Sequence, residues 1–205
     1  MIGAMSDITD RRRREDELGV LASVSAALRV AGPRDEILQV VLDQVMLQFE
    51  ARGGPLILKR AGTDTLVVEA AGGEWGGCVG SKDPPSRDVS RQVMESGTPC
   101  VIDDLAQDVS MNLNAGIKRT GSFISVPLST PAGMIGVMNI VRAAAFRSED
   151  VRLMMNIADM AANAIQRASA YEQLKRQIES IRILRTIDMF IASGADLHLT
   201  LQAIV

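Results

Sequence analysis

The 205-residue sequence predicts an α+β domain: a central antiparallel sheet closed by helices at both ends. Three observations carry this. Apolar residues recur at helical spacing over 18–45 and again from Ser148, whereas the chain between them breaks into short apolar runs punctuated by Gly and Pro. Residues 121–141 hold two such runs joined by a short Pro/Gly turn. Finally, the uncharged stretch Thr120 to Val141 is interrupted by Pro127, Pro131 and three glycines, which makes it a hairpin and not a membrane span.

Taken in order, the opening residues begin like a strand and switch at Thr9 or Asp10, a natural N-cap, into the charged run Arg11 to Glu17. The four arginines stand beside Glu15, Asp16 and Glu17, so they read as a solvated helix start rather than a phosphate-binding arm. Leu21, Val24, Ala27 and Leu28 mark one face of a first helix. Gly32-Pro33 ends it, and Ile37, Leu38, Val41, Leu42 and Val45 mark a second. Leu56 to Lys59 and Leu66 to Ala70 read as strands around a turn at Gly62-Thr63-Asp64. The glycine-rich stretch 72–85 reads as a connection with a short strand near Cys78-Val79. A short helix from Ser86 to Glu95, capped by Ser86 and stopped at Gly97, leads to a strand at Pro99 to Ile102. Residues 105–120 are polar and irregular. In the hairpin, Pro127 belongs at a strand end or edge, and Gly136 marks a bulge or a close backbone approach.

From Ser148, with a hydroxyl cap and two carboxylates in its first turn, a helix is expected to about Ala192. At about 1.5 Å per residue it would span roughly 65 Å, so it outruns its domain and calls for a partner. Its apolar spacing continues beyond the domain at Tyr171, Leu174, Ile178 and Ile181, which suits a coiled-coil seam, with Arg167, Lys175 and Arg185 weakening a strict heptad. A break is expected at Ser193 to Asp196. Shifting the sequence by 163 residues then lays Leu21 on Leu184, Val24 on Ile187 and Leu28 on Ile191, which suggests a second copy of the first helices.

The composition excludes several functions. A net charge of −3 argues against a general nucleic-acid binder, and the short apolar start before charged residues is no signal peptide, leaving a cytoplasmic location as the default. Cys78 and Cys100 stand alone, giving neither a zinc spacing nor a disulfide framework. The sole histidine, His198, lies beyond the predicted domain, so no Ser-His-Asp or Cys-His arrangement can form inside it. Gly76 to Lys82 lacks the Gly-Lys-Ser/Thr order of a phosphate loop.

Four segments in order, Ser96-Gly97-Thr98-Pro99-Cys100-Val101-Ile102-Asp103-Asp104, Ser122 to Leu128, Gly133 to Asn139, and Phe146 to Asp150 leading into Ala161 to Ile165, resemble the GAF domain over about 15–170. The resemblance implies first and last helices packed on one face of the sheet and a small-molecule cavity on the other, under the irregular segment. Residues 1–14, with Asp7-Ile8-Thr9 before an Arg-rich helix, are similar to the end of a PAS domain. Residues 171–192 then read as a linker helix and 193–205 as the start of a second GAF-like domain. The whole looks like part of a bacterial multidomain signalling protein. Where that family places its cavity stand Trp75, Cys78, Asp103, Asp104, Asn112, Asn114, Lys118, Arg119 and Ser125. Trp75 would stack over a ligand or pin a loop; Lys118 and Arg119 would hold an anion or be solvated; Asp103 and Asp104 would accept ligand hydrogen bonds or make turns; Cys78 would sense redox state or simply pack. No bilin and no His-ligated haem is expected, and the Asn-Lys-Phe-Asp-Glu signature of cyclic-nucleotide GAF domains is missing. The resemblance implies a regulatory module for an unidentified small-molecule effector, homodimeric through Leu21, Val24, Leu28, Ala164, Tyr171, Leu174, Ile178 and Ile181. Its output would lie elsewhere: a histidine kinase, a diguanylate cyclase or an HD-GYP phosphodiesterase, the last hinted at by Arg185 to Ser193. The alternatives are a ligand-free dimerisation scaffold and a free methionine sulfoxide reductase; the latter requires paired active-site cysteines, for which Cys78 and Cys100 are candidates in name only, their flanking residues not resembling that family's.

Overall fold

The computed structural model describes residues 17–60, 62–108, 111 and 117–202. The PAS-like residues 1–14 therefore lie outside the described residues, as do Asn112 and Asn114. The chain divides into two compact units, Met1–Gln166 and Arg167–Val205.

In the first unit, helix α1 is described over 17–30 and α2 spans Arg34–Gln48. Pro33 stands at the cap of α2, where its missing N–H leaves nothing unpaired, and its carbonyl accepts from Ile37 N. Glu36 reaches back to accept from the Gly32 N–H at 2.9 Å, so the turn predicted at Gly32-Pro33 is tied from inside the helix. Strands β1 (Gly53–Lys59), β2 (Leu66–Gly73), β3 (Cys100–Ile102), β4 (Ser122–Thr130) and β5 (Gly133–Arg142) form one sheet in the order β2-β1-β5-β4-β3, every pair antiparallel. Helix α3 covers Arg87–Ser96, and α4 runs Ser148–Gln202.

The sheet is covered on both faces, which is why β4 is buried continuously from Ser122 to Leu128 and does not alternate with solvent. On one face, α2 packs on β1 and β2. Its Val41, Leu42 and Val45 are fully buried, worth about 1.5–3 kcal/mol apiece in apolar transfer. Val24 and Leu28 of α1, and Met154, Ile157, Ala161 and Ala164 of α4, are buried as well. Glu17 and Arg152 link the starts of α1 and α4 across the surface at 3.1 Å. On the opposite face, α3 contacts β4 and β5, and two apolar clusters hold Trp75, Leu105, Met111 and Phe123 in one and Ile57, Val68, Val93 and Val137 in the other.

Gly136 is a close approach, as its position in a strand suggested: a Cβ there would stand 2.2 Å from the Ile57 carbonyl oxygen of the neighbouring strand. Gly97 closes α3 in the left-handed region at φ 68°, and its N–H donates to Val93 O. Pro127 lies past the end of β3, whose pairing stops at Ser125, so its missing N–H breaks no ladder on that side.

Four local expectations are corrected. The strand expected at Cys78-Val79 is a 3₁₀ turn over Gly76–Cys78, a tight geometry that consecutive glycines accommodate. Ser86 stands at the cap of α3 but makes no side-chain cap bond, because its hydroxyl is used inside the domain. At the start of α4, Arg147 precedes the first helical residue in place of the expected Ser148 cap: its carbonyl accepts from Val151 N, and the Asp150 carboxylate reaches back to accept from the Arg147 N–H at 2.9 Å. Helix α4 also continues through Ser193 to Asp196. A lone glycine inside a helix costs only about 1 kcal/mol, and no proline follows as Pro33 follows Gly32.

In the second unit, α4 presents Tyr171, Leu174, Ile178, Ile181, Leu184 and Ile187 as exposed apolar side chains. No helix among the described residues is long and apolar enough to cross a membrane.

Candidate functional site

The site is built on the α3 face of the sheet. Side chains alternate along a strand, so Phe123, Ser125 and Pro127 of β4 share this face with Val137, Asn139 and Val141 of β5, and the register pairs Ser125 with Asn139 directly. Asn139 thus stands between Val141, in the Trp75 cluster, and Val137, in the Ile57 cluster. Its side-chain amide donates to Ser86 Oγ, at the cap of α3, at 2.9 Å and to Ser90 Oγ, inside α3, at 3.1 Å, and Ser90 Oγ donates to Ser86 Oγ at 3.3 Å. Asn139, Ser86, Ser90 and Ser125 are all fully buried. Two polar atoms in this group have no hydrogen-bond partner, Asn139 Oδ1 and Ser125 Oγ. An unmade bond of this kind costs about 1–3 kcal/mol, and folded proteins keep few of them.

The residues around this polar group are apolar. Trp75 is 1% exposed and packs with Val89, Leu105, Met111, Phe123 and Val141, so it pins the loop after β2 into the core. Cys78 and Cys100 are half-buried and pack against both clusters. Burial pushes both thiols up, and at Cys100 the Asp108 carboxylate adds to it, which leaves them protonated and weakly nucleophilic at neutral pH.

Two arginines beside this face are engaged with the chain itself. Arg119 donates to the carbonyls of Met111, at 3.1 Å, and Asp108, so it fastens the irregular segment. Arg52 donates to Thr120 Oγ1 at 3.0 Å and to the Thr120 carbonyl, and approaches Glu74 at 3.9 Å. Glu74 in turn accepts from the Lys118 N–H. Asp104 accepts from Ala106 N and Gln107 Nε2, which is turn chemistry, and the Asp103 carbonyl accepts from Ser122 Oγ at 2.6 Å. Asp103, Asp104 and the side chain of Lys118 face solvent.

Of the expected residues, Trp75, Cys78 and Ser125 therefore lie on this face, with Ser125 in its buried polar group. Asn139, Ser86 and Ser90 were not singled out from sequence as site residues. The signals were present: an asparagine inside the apolar strand Gly133–Arg142, and two serines four apart, hence on one side of α3. Of the expected dimer seam, Val24, Leu28 and Ala164 are buried in the chain's own core and Leu21 is partly covered, whereas Tyr171, Leu174, Ile178 and Ile181 are exposed. Burial within the chain's own core takes up the first group.

A separate open cleft of about 570 Å³ lies between Lys59, Asp64, Arg91, Glu95 and Met134. Its Lys59 ammonium is paired with Asp64 at 2.6 Å, and its walls carry charges of both signs.

Comparison with known proteins places this architecture. No curated protein sequence matches the chain as a relative. Among solved structures, it is similar to the GAF domain of a phosphoenolpyruvate-protein phosphotransferase from Coxiella burnetii, with 17% identity, 77% of this chain and 96% of that one covered, and a TM-score of 0.68. The second GAF domain of DevS from Mycobacterium smegmatis matches at 20% identity over 69% of this chain and 99% of that one, with a TM-score of 0.56. Free methionine-R-sulfoxide reductase from Neisseria meningitidis, solved with its substrate, matches at 16% identity over 76% and 91%, with a TM-score of 0.58. At these identities the likeness is one of fold. The profile of the GAF domain family matches residues 31–166, from the turn before α2 into α4, and the chain belongs to that family.

Proposed function

We propose that this chain is a sensory, regulatory GAF domain that binds a small molecule on the α3 face and passes the resulting change through α4 as a homodimer. The observation that carries the reading is the exposed apolar row Tyr171, Leu174, Ile178 and Ile181, spaced three, four and three, on the helix that continues out of the domain. Isolated apolar side chains on a surface need no explanation, but a regular row on one helical stripe fits a coiled-coil partner. A ligand with different affinity for two packings of the domain would bias how that helix is held, which is all a relay requires.

The domain acts within a longer cytoplasmic signalling protein, between a PAS domain and a second GAF-like domain. Its output is a histidine kinase, a diguanylate cyclase or an HD-GYP phosphodiesterase. This part of the proposal rests on the sequence resemblances alone. No catalysis is assigned to the chain: its two thiols are held protonated, although one fold neighbour is a reductase.

The dense filling of the α3 face by Trp75, Leu105, Met111 and Phe123 favours a second reading, a dimerisation scaffold without a ligand. Both readings need the dimer. Replacing Ile178 and Ile181 by Glu should convert a dimer to a monomer in sedimentation equilibrium with the circular dichroism of the domain unchanged; a dimer that persists overturns the seam.

A further inference from the structure

The buried polar group on the α3 face has a specific set of unused valences. Asn139 spends both amide hydrogens on Ser86 and Ser90, and its Oδ1 is left as an acceptor without a donor. Directly across the strand pair, Ser125 Oγ is left with no partner, and a hydroxyl can both donate and accept. The complement of this pair is one N–H aimed at Asn139 Oδ1 and one acceptor oxygen aimed at the Ser125 hydroxyl.

Charge narrows the class further. The buried polar residues among those described are Ser86, Ser90, Ser122, Ser125 and Asn139, and none of them ionises. Arg119 is committed to backbone carbonyls, and the Lys118 side chain faces solvent. Arg52, whose Nε is also buried without a partner, belongs to the separate network of Thr120 and Glu74. A carboxylate or phosphate brought to Ser125 and Asn139 would lose its water without gaining a counter-charge, a cost that neutral groups escape. Along the strands the pair is flanked by Phe123 and Val141 on one side and Pro127 and Val137 on the other, with Trp75 packed on Phe123 and Val141, so what surrounds the polar edge is apolar and aromatic.

We infer that the α3 face takes a small neutral molecule with an apolar body and a carboxamide-type edge, its N–H on Asn139 Oδ1 and its C=O on the Ser125 hydroxyl. The inference rests on the sensory reading above and names the ligand class for it. A molecule of that shape displaces core side chains, of which unbranched Met111 is the most adaptable.

Benzamide and benzoate test the proposal, because they share a shape and differ in charge. Each is titrated into the whole chain, following the Asn139 side-chain amide and the Ser125 and Asn139 backbone amides by ¹H–¹⁵N correlation NMR. Benzamide should shift these signals saturably and bind at least about tenfold more tightly than benzoate, the factor expected for about one net hydrogen bond. Ser125→Ala, which leaves the strand pairing intact, should weaken benzamide about tenfold, and Asn139→Leu should abolish its binding where the spectrum shows the variant folded. Equal binding of benzoate, an unshifted spectrum with benzamide, or a Ser125→Ala variant that titrates like the parent would each overturn the inference. So would a crystal structure in which Ser125 Oγ donates directly to Asn139 Oδ1. A native mass spectrum of the protein as purified separates the two levels. A retained anion would leave the sensory reading standing and remove this ligand class, whereas no retained mass and no response to either probe would remove both.

Discussion

Trp75 is the only tryptophan in the chain and is 1% exposed, so one substitution probes both the loop it anchors and the core of the α3 face. Its side chain packs among Val89, Leu105, Met111, Phe123 and Val141. An indole buries about 150–250 Å², which at about 25 cal/mol per Å² is about 4–6 kcal/mol. Partial collapse of the cavity puts the measured cost of Trp75→Ala at about 3–5 kcal/mol. That is a large fraction of the roughly 5–15 kcal/mol that holds a domain together, and it should lower the melting temperature by roughly 10–15 °C. Urea unfolding followed by circular dichroism measures it without needing the lost fluorophore. In the parent protein, Trp75 emission should be blue-shifted and nearly immune to acrylamide. A cost below about 1 kcal/mol, or red-shifted and easily quenched emission, would refute the placement of Trp75 in the core.

Three further predictions follow from single contacts. Gly136→Ala puts a methyl 2.2 Å from the Ile57 carbonyl and should cost about 1–3 kcal/mol or more in urea unfolding, since β1 and β5 must part to admit it; a neutral result would mean the two strands are not so close. Cys78 and Cys100 should alkylate with iodoacetamide only at pH values above those of a free thiol, because burial raises both, with Asp108 adding to the effect at Cys100. The sign for stability follows: folded thiols that hold their protons more tightly leave stability intact below the unfolded thiol value and lower it as the pH rises through the folded value. A reaction midpoint at or below that of a free thiol would count against this. Asp150→Ala removes the acceptor for both the Arg147 N–H and the Arg142 guanidinium, and should cost about 1–2 kcal/mol in the same unfolding assay, with Asp150→Asn recovering part of it.

The sheet and its helices were legible because their signals are local. Ile37, Leu38, Val41, Leu42 and Val45 recur at helical spacing, Gly97 and the Pro/Gly turns stop elements where the backbone needs them, and the hairpin of β4 and β5 is two apolar runs around one turn. The site was less legible because its residues meet only through tertiary register. Ser125 and Asn139 are fourteen positions apart and become partners only once the hairpin is paired, and Ser86 and Ser90 join them from α3 across the layer. The same limit explains Ser86. Its sequence position says helix cap, and it does occupy the cap, but its hydroxyl turns inward because a buried asparagine donor awaits it there. Arg119 illustrates the same limit: the sequence left it either holding an anion or solvated, whereas backbone carbonyls of the irregular segment engage it, and no spacing in the sequence announces such a partner.

The central claim, that the α3 face belongs to a ligand-binding dimer, is tested most directly by a native mass spectrum of the protein as purified. The account predicts a dimer carrying a small non-covalent mass, released when Trp75 or Asn139 is replaced. A species of bare polypeptide mass that stays bare across a panel of neutral and anionic additives would contradict it.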